Sequence, residues 1–257
     1  MANYKTFAKL YDELFDEEAY ADWFEYATGK IENHSGKVLE LAGGSGRLAI
    51  QLIQAGYDTT IFDLSEEMLA LAMQHAQDAK VDLPLIQGDM REWSDLPTKF
   101  ATITSFADSF NYLANENETL QAFKQVADHL EPGGQFLFDV ISPYQTDVYY
   151  PGYMYNFHDD DTAFMWSSYG VEGAKHTVEH ELIFFVYNAE IDGYQQVTEV
   201  HTERTYELPT YFKLLEEAGF VDVNVTGDFG RQTEVDDETP RWFFEAKKQA
   251  YQKYEER

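Results

Sequence analysis

The sequence contains no cysteine. That excludes disulfides, thiolate metal sites and cysteine nucleophiles together. No apolar run approaches the roughly 18 residues that a bilayer-spanning helix needs, so no membrane partner is expected. The stretch from Met1 to Leu10 lacks the apolar segment of a secretory signal, and a cytoplasmic protein is the expectation. Basic residues are scarce: 18 Lys and Arg stand against 47 Asp and Glu, for a formal net charge of −29. Such a surface repels polyanions, and no local cluster of Lys and Arg offsets it, so a nucleic-acid partner is not expected. The nearest basic run, Lys247, Lys248, Lys253 and Arg257, lies in a charged tail. The acidity serves solubility. It also favours, weakly, cationic or neutral small substrates.

What is present is enough for a core. The chain has 257 residues, 44% hydrophobic and 16% aromatic, which suits one domain carrying a sizeable insertion. Residues 17–32 carry Tyr20, Trp23, Phe24, Ala27 and Ile31 at helical spacing with acids between them. Strands are then expected at 38–41, 59–62, 83–87, 100–106 and 135–141, with helices at 46–55, after Ser65, and at 117–130. Ser65 is placed to cap its helix, with Glu66 and Glu67 in the first turn. Strands alternating with helices predict an α/β, Rossmann-like, doubly wound and mostly parallel sheet. In such sheets ligands bind outside the carboxyl ends of the strands.

After residue 150 the texture changes. Residues 164–169, 177–187 and 194–206 are rich in aromatic and β-branched residues, and Asp192-Gly193 reads as a hairpin turn. Val178, Leu182, Phe184 and Val186 share one strand face, and His180 shares it too. The stretch reads as an antiparallel sheet inserted after the fifth strand. A helix from Pro209 to Gly219 and strands at 220–227 and 241–247 follow. The sheet is thus expected to have seven strands. An edge strand in the insert offers a way to form a homodimer.

One loop concentrates the chemistry. Glu40-Leu41-Ala42-Gly43-Gly44-Ser45-Gly46 follows a strand and opens a helix, where glycines let backbone approach a ligand. Alone it fits many nucleotide binders. Its company narrows the choice. Asp63 ends the second strand, where a carboxylate can accept both hydroxyls of an adenosine ribose. Asp89 ends the third, near where an adenine would lie.

With these segments the sequence resembles the class I S-adenosylmethionine-dependent methyltransferases. The resemblance rests on residues 38–46, on Phe62-Asp63-Leu64-Ser65, on Gln87-Gly88-Asp89-Met90 and on Leu130-Glu131-Pro132-Gly133-Gly134. Phe7-Ala8-Lys9-Leu10-Tyr11-Asp12 with Trp23, and Asp108-Ser109-Phe110-Asn111-Tyr112-Leu113, look like a bacterial subgroup of small methyltransferases. The resemblance implies S-adenosylmethionine as cofactor and roles for individual positions. Glu40 would hold the methionine ammonium, and the backbone of Ala42, Gly43 and Gly44 would face that part. Asp63 would take the ribose, Leu64 would flank the adenine, and Asp89 would accept from its amino group beside the Met90 backbone. Phe106 and the loop to Ser109 would cover the methionine end, with Tyr11 closing over the cofactor. Glycine is usual where Ala42 stands. It also implies a division into an N-terminal helical cap with the cofactor core (1–150), a β lid (151–206) and the end of the core (207–257).

Structural readings of the same residues stay open. Glu40 can bond within its loop, Asp63 and Asp89 can cap turns, and Tyr11 can be packing. Asp108, Asn111 and Tyr144 follow strand ends and are candidates to touch a small-molecule methyl acceptor. No catalytic base is assigned. His158-Asp159-Asp160-Asp161 reads as a solvated loop rather than a metal site, and no metal is expected. No hydrolase motif of the Gly-x-Ser-x-Gly or His-Glu-x-x-His kind occurs. Two other functions compete. A nicotinamide-dependent oxidoreductase would share the glycine loop, although the full Gly-x-Gly-x-x-Gly spacing is missing because Ala49 follows Gly44 and Gly46. A non-catalytic S-adenosylmethionine-binding protein would share the whole cofactor site.

Overall fold

The computed structural model of the chain describes residues 12, 17–94, 96 and 98–250. Tyr11 lies outside the described residues. The elements run α1 (Glu17–Lys30), β1 (Lys37–Leu41), α2 (Arg47–Gln54), β2 (Asp58–Asp63), α3 (Glu66–Ala79), β3 (Leu85–Gln87), β4 (Phe100–Ser105), α4 (Glu116–His129) and β5 (Leu130–Ile141). Then come β6 (Met154–His158), β7 (Thr162–Gly170), β8 (Thr177–Asn188), β9 (Gly193–Arg204), α5 (Leu208–Glu217), β10 (Phe220–Gly227) and β11 (Arg241–Lys248).

β1 to β5 with β10 and β11 form a seven-stranded sheet in the order β10-β11-β5-β4-β1-β2-β3. Only β11 runs against its neighbours. β1 and β4 sit in the middle and are buried along nearly their whole length, as strands covered on both faces are. On one face, Phe110, Phe123, Phe136, Phe138 and Phe244 build an aromatic core, with Phe138 stacked on Phe244 at 4.8 Å. On the other, Trp23 and Tyr26 of α1 pack with Phe106 and Phe243. The expected α/β, doubly wound and mostly parallel sheet is therefore the observed one.

The second sheet is antiparallel, in the order β6-β7-β8-β9. Strand pleating puts Phe164, Trp166 and Ser168 on one face with His180, Leu182 and Phe184. That face is the buried one, and Met165, Tyr169 and Val200 face outward. Asp192 adopts φ +45° in the β8–β9 turn, the left-handed conformation that a tight hairpin requires.

Boundaries differ from the sequence expectation in a few places. β6 has no counterpart in it: every residue of this edge strand is exposed, so it shows no alternation. β3 starts at Leu85 rather than at 83, because Pro84 has no N–H to donate to a ladder; its carbonyl accepts from Ile61 instead (3.0 Å). The helix before β5 stops at His129, and β5 begins at Leu130, earlier than the expected 135. Ser65 caps α3 as expected, its Oγ accepting from the Met68 N–H at 3.1 Å.

Candidate active site

The parallel strands deliver their carboxyl ends to one sheet edge, and the residues after β1, β2 and β4 meet there. After β1 the chain turns through Ala42 to Gly46. Gly43 is packed so closely that a Cβ would lie 2.5 Å from Ile61. Gly46 has φ +74° and would press a Cβ onto Ala72 at 3.0 Å. Ala42 adopts φ +56°, a region that a methyl group makes costly. The usual glycine at that position would adopt it freely.

Asp63 ties this loop to the next strand. One carboxylate oxygen accepts from the Gly44 N–H at 2.8 Å and the other from the Ser65 N–H at 2.8 Å. Burial raises its pKa, and the N–H groups of Ser65, Gly44 and Leu64 work against that rise. Glu40 is buried beneath the loop, and its Oε2 has no hydrogen-bond partner among the described residues. Burial pushes its pKa up to about 8; the Ala49 N–H pulls it down and Asp63 adds to the rise. A buried carboxyl at a glycine loop with one oxygen left unsatisfied is a place where a cation belongs. That observation fits the α-ammonium of S-adenosylmethionine. Asp12 joins from the N-terminal side, accepting from Arg47 Nε at 2.8 Å and from the Ser45 hydroxyl.

The loop after β4 is strained. Ala107 and Asp108 both have positive φ, +55° and +53°. Two consecutive non-glycine residues in that region persist only when their surroundings hold them. Asp139, fully buried near the end of β5, does so: its Oδ1 accepts from the Asp108 N–H at 2.7 Å. Arg241, the first residue of β11, lies 2.7 Å from Asp108 Oδ1 and 3.1 Å from Asp139 Oδ1. Trp23 Nε1 donates to the second Asp139 oxygen at 2.8 Å.

A single cavity of about 550 Å³ joins these parts. Glu40, Ala42, Gly43, Gly44 and Phe106 line one end of it. Tyr153, Tyr155, Phe164 and Trp166 of the antiparallel sheet region line the other, with His180, His201, Glu203, Asp108 and Arg241. The second sheet thus contributes a wall of the cavity.

The remaining expected site residues stand apart from it. Leu64 is 65% exposed at the sheet edge. Asp89 is already paired with Arg91, at 2.9 Å and 2.6 Å, which holds its carboxyl below the usual range. The Met90 carbonyl accepts from Trp93 Nε1 at 2.9 Å. Asn111 is buried, and its amide is spent on the Arg204 carbonyl (2.8 Å) and the Ile141 N–H (3.0 Å). It fastens the turn after β4 to β5 and β9. Tyr144 lines a separate cavity of about 480 Å³ with Ile141, Tyr149 and Arg241. In the Asp159 turn, one carboxylate oxygen accepts from the Asp161 and Thr162 N–H groups, at 2.9 Å and 2.7 Å. His176 pairs with Asp147 at 2.6 Å, whereas His180 and His201 face each other across β8 and β9.

Asp139, Arg241 and Glu203 were not singled out in the sequence. Asp139 had a signal: it is the lone acid in the apolar run of β5. His180 had one too, as the polar residue on an apolar strand face. Glu203 lies two residues from His201 and so on its face, but only the strand register links it to His180.

A fold of this topology, with a glycine loop over a buried acid, defines a nucleoside-cofactor α/β enzyme. A methyltransferase-domain family matches residues 38–134. YqeM of Bacillus subtilis, itself a candidate methyltransferase, is 34% identical over 245 residues, covering 95% of this chain and 97% of YqeM. A crystal structure of an S-adenosylmethionine-dependent methyltransferase from Clostridium acetobutylicum superposes with a TM-score of 0.82 at 27% identity, covering 96% of this chain and 99% of that one. A glycine/sarcosine N-methyltransferase of Halorhodospira halochloris is 24% identical over 229 residues, 87% of this chain and 80% of that protein. The chain belongs to the class I S-adenosylmethionine-dependent methyltransferases. It is an enzyme of that kind, with S-adenosylmethionine as its cofactor. The oxidoreductase alternative finds no support.

Proposed function

We propose that the chain N-methylates a small primary or secondary amine. The observation that carries this reading is the acceptor end of the cavity: an aromatic wall facing Asp108, Glu203 and the nearby Asp139, with Arg241 the counter-charge among them. That is an excess of acids over the guanidinium, which suits an ammonium and repels an anion. Aromatic faces at Tyr153, Tyr155 and Trp166 attract cations as well. The name of the Halorhodospira halochloris relative points the same way. The acidic surface, −29 overall, favours a small acceptor over nucleic acid.

In this reading the cofactor roles follow the sequence expectation. Glu40 holds the methionine ammonium, Ala42 to Gly44 lie along that part, and Asp63 takes the ribose. Leu64 flanks the adenine, Met90 lies beside it, and Asp89 reaches its amino group only by sharing its bonds with Arg91. Phe106 closes the methionine end. A cytoplasmic location and a homodimer paired through the β6 edge belong to the same reading. The cofactor supplies an activated methyl on a sulfonium. The protein supplies position, and holding two reactants in line can contribute about 7–11 kcal/mol.

The test is a mass-spectrometric screen of purified enzyme and S-adenosylmethionine against small amines, alcohols, thiols and carboxylates. A mass gain confined to amines is expected. Transfer to the other classes with none to amines would overturn the reading.

A further inference from the structure

Glu203, so far only one of the acids at the acceptor end, stands beside His180, which has had no role. Both are nearly fully buried, both line the cavity, and among the described residues neither Glu203 Oε2 nor His180 Nε2 has a hydrogen-bond partner. They lie 3.6 Å apart, an ionic contact rather than a hydrogen bond. A native structure rarely leaves two such atoms side by side without a ligand to complete them.

The other nitrogen of His180 settles which atom carries the ring proton. Trp166 Nε1 donates to His180 Nδ1 at 3.1 Å, and Ser168 Oγ lies 2.7 Å from the same atom. An indole N–H can only donate. Nδ1 is therefore the acceptor, and in the neutral ring the proton sits on Nε2, facing Glu203. His180 presents a donor to the carboxylate, and Glu203 is among the residues that line the cavity.

We infer that Glu203 is the catalytic base of methyl transfer and that His180 is a positioning residue, held in its Nε2–H form by Trp166 and Ser168. This rests on the amine reading above. The acceptor enters as an ammonium and gives one N–H proton to the Glu203 carboxylate, which becomes the neutral acid. The freed nitrogen lone pair forms the bond to the methyl carbon. The carbon–sulfur bond breaks, and its electron pair stays on sulfur as the neutral thioether. The product leaves as a methylammonium, and Glu203 returns its proton to solvent. Burial raises the Glu203 pKa, as does Asp108, while His180 and Arg241 work against the rise. Tyr150 also feels its charge, and His201 faces His180 across the β8–β9 ladder, its pKa lowered by burial and by His180. A base raised in this way is better matched to an amine's proton than an ordinary carboxylate.

Sinefungin tests this without knowledge of the acceptor. It replaces the sulfonium methyl with a carbon bearing an ammonium, so it carries its own amine at the transfer position. Calorimetry would compare its affinity with that of S-adenosylhomocysteine. The wild-type enzyme should prefer sinefungin by about tenfold or more. Glu203→Gln should remove that preference while leaving S-adenosylhomocysteine binding within about twofold. Glu203→Asp, which keeps the charge, should retain part of it and guards against a folding defect in the amide variant. The preference should fade on acidification, and His180→Phe, which deletes the donor, should move that midpoint up by about one pH unit. An unchanged preference in Glu203→Gln, or its loss in Asp108→Asn alone, overturns the assignment. So does failure of either ligand to bind. An unmoved midpoint in His180→Phe removes the positioning role. A positive sinefungin result beside an amine screen without product would keep Glu203 as the group facing the methyl and discard the amine reading.

Discussion

The two ends of the cavity are built by different rules. The cofactor end is made of backbone and of side chains at the ends of consecutive parallel strands, so residues 40–46 and Asp63 meet through one β-α-β step. The acceptor end is made of side chains on one face of an antiparallel sheet, plus Asp139 and Arg241 from strands paired across the fold. The first is a short-range construction. The second exists only after long-range register is set. A site whose chemistry is shared by a family can be local, because the same loop serves every member. A site that distinguishes one acceptor from another can sit on a separate sheet, where changing a side chain leaves the loop untouched.

The sharpest way to break this contrast is Arg241→Met. It strands Asp139 and Asp108 as buried acids without their counter-charge, and breaking such a cluster costs about 3–5 kcal/mol. In a domain of this size that lowers the melting temperature by on the order of 10 °C. Calorimetry should nonetheless show S-adenosylhomocysteine binding close to wild type. A collapse of cofactor affinity equal to that of stability would mean that the two ends are one unit.

The next test lies at the cofactor end. The folded-state pKa of Glu40, about 8, exceeds its ordinary value of 4.5. Its proton therefore stabilises the cofactor-free protein fully below the ordinary value, and that contribution is lost as pH rises through about 8. Binding a cofactor ammonium reverses the preference, so binding should expel a proton across this window. Each pH unit within it then changes the affinity by about 1.4 kcal/mol, with tighter binding at higher pH. Calorimetry in buffers of different ionisation enthalpy reads the proton directly, and Glu40→Gln should abolish it.

The smallest expected effect belongs to Ala42→Gly. Relief of the left-handed strain should stabilise the cofactor-free protein by about 1 kcal/mol or less, since added glycine freedom in the unfolded chain opposes it. Thermal unfolding reads this, and the sinefungin preference should stay unchanged because Ala42 belongs to the other end.

The same contrast explains what the sequence could say. The parallel sheet was legible because each strand carries its own apolar run and each helix its own cap, as at Ser65. Glu40 and Asp63 were legible because they stand at fixed places beside glycines. The acceptor end was legible only as texture. His180 looked odd on an apolar face, yet nothing local joined it to Glu203 or Trp166. Asn111 and Tyr144 were placed by chain position after strands, which gives the sheet edge but not the direction of a side chain. Asn111 turned into backbone bonds and Tyr144 into the second cavity. β6 was missed because an edge strand exposed on both faces has no periodicity to read.

Asp139 has a consequence for how the enzyme comes into being. Its carboxylate gathers the Trp23 indole from a position 116 residues away, the Asp108 backbone and the Arg241 guanidinium. Arg241 leaves a ribosome after Trp23, Asp108 and Asp139 do. Until it arrives, Asp139 has no cation and the Ala107–Asp108 turn lacks one of its two fastenings. A growing chain can therefore assemble its cofactor loop long before it has a finished place for an acceptor. The acceptor end is thus completed by β11, the strand that pairs with β5.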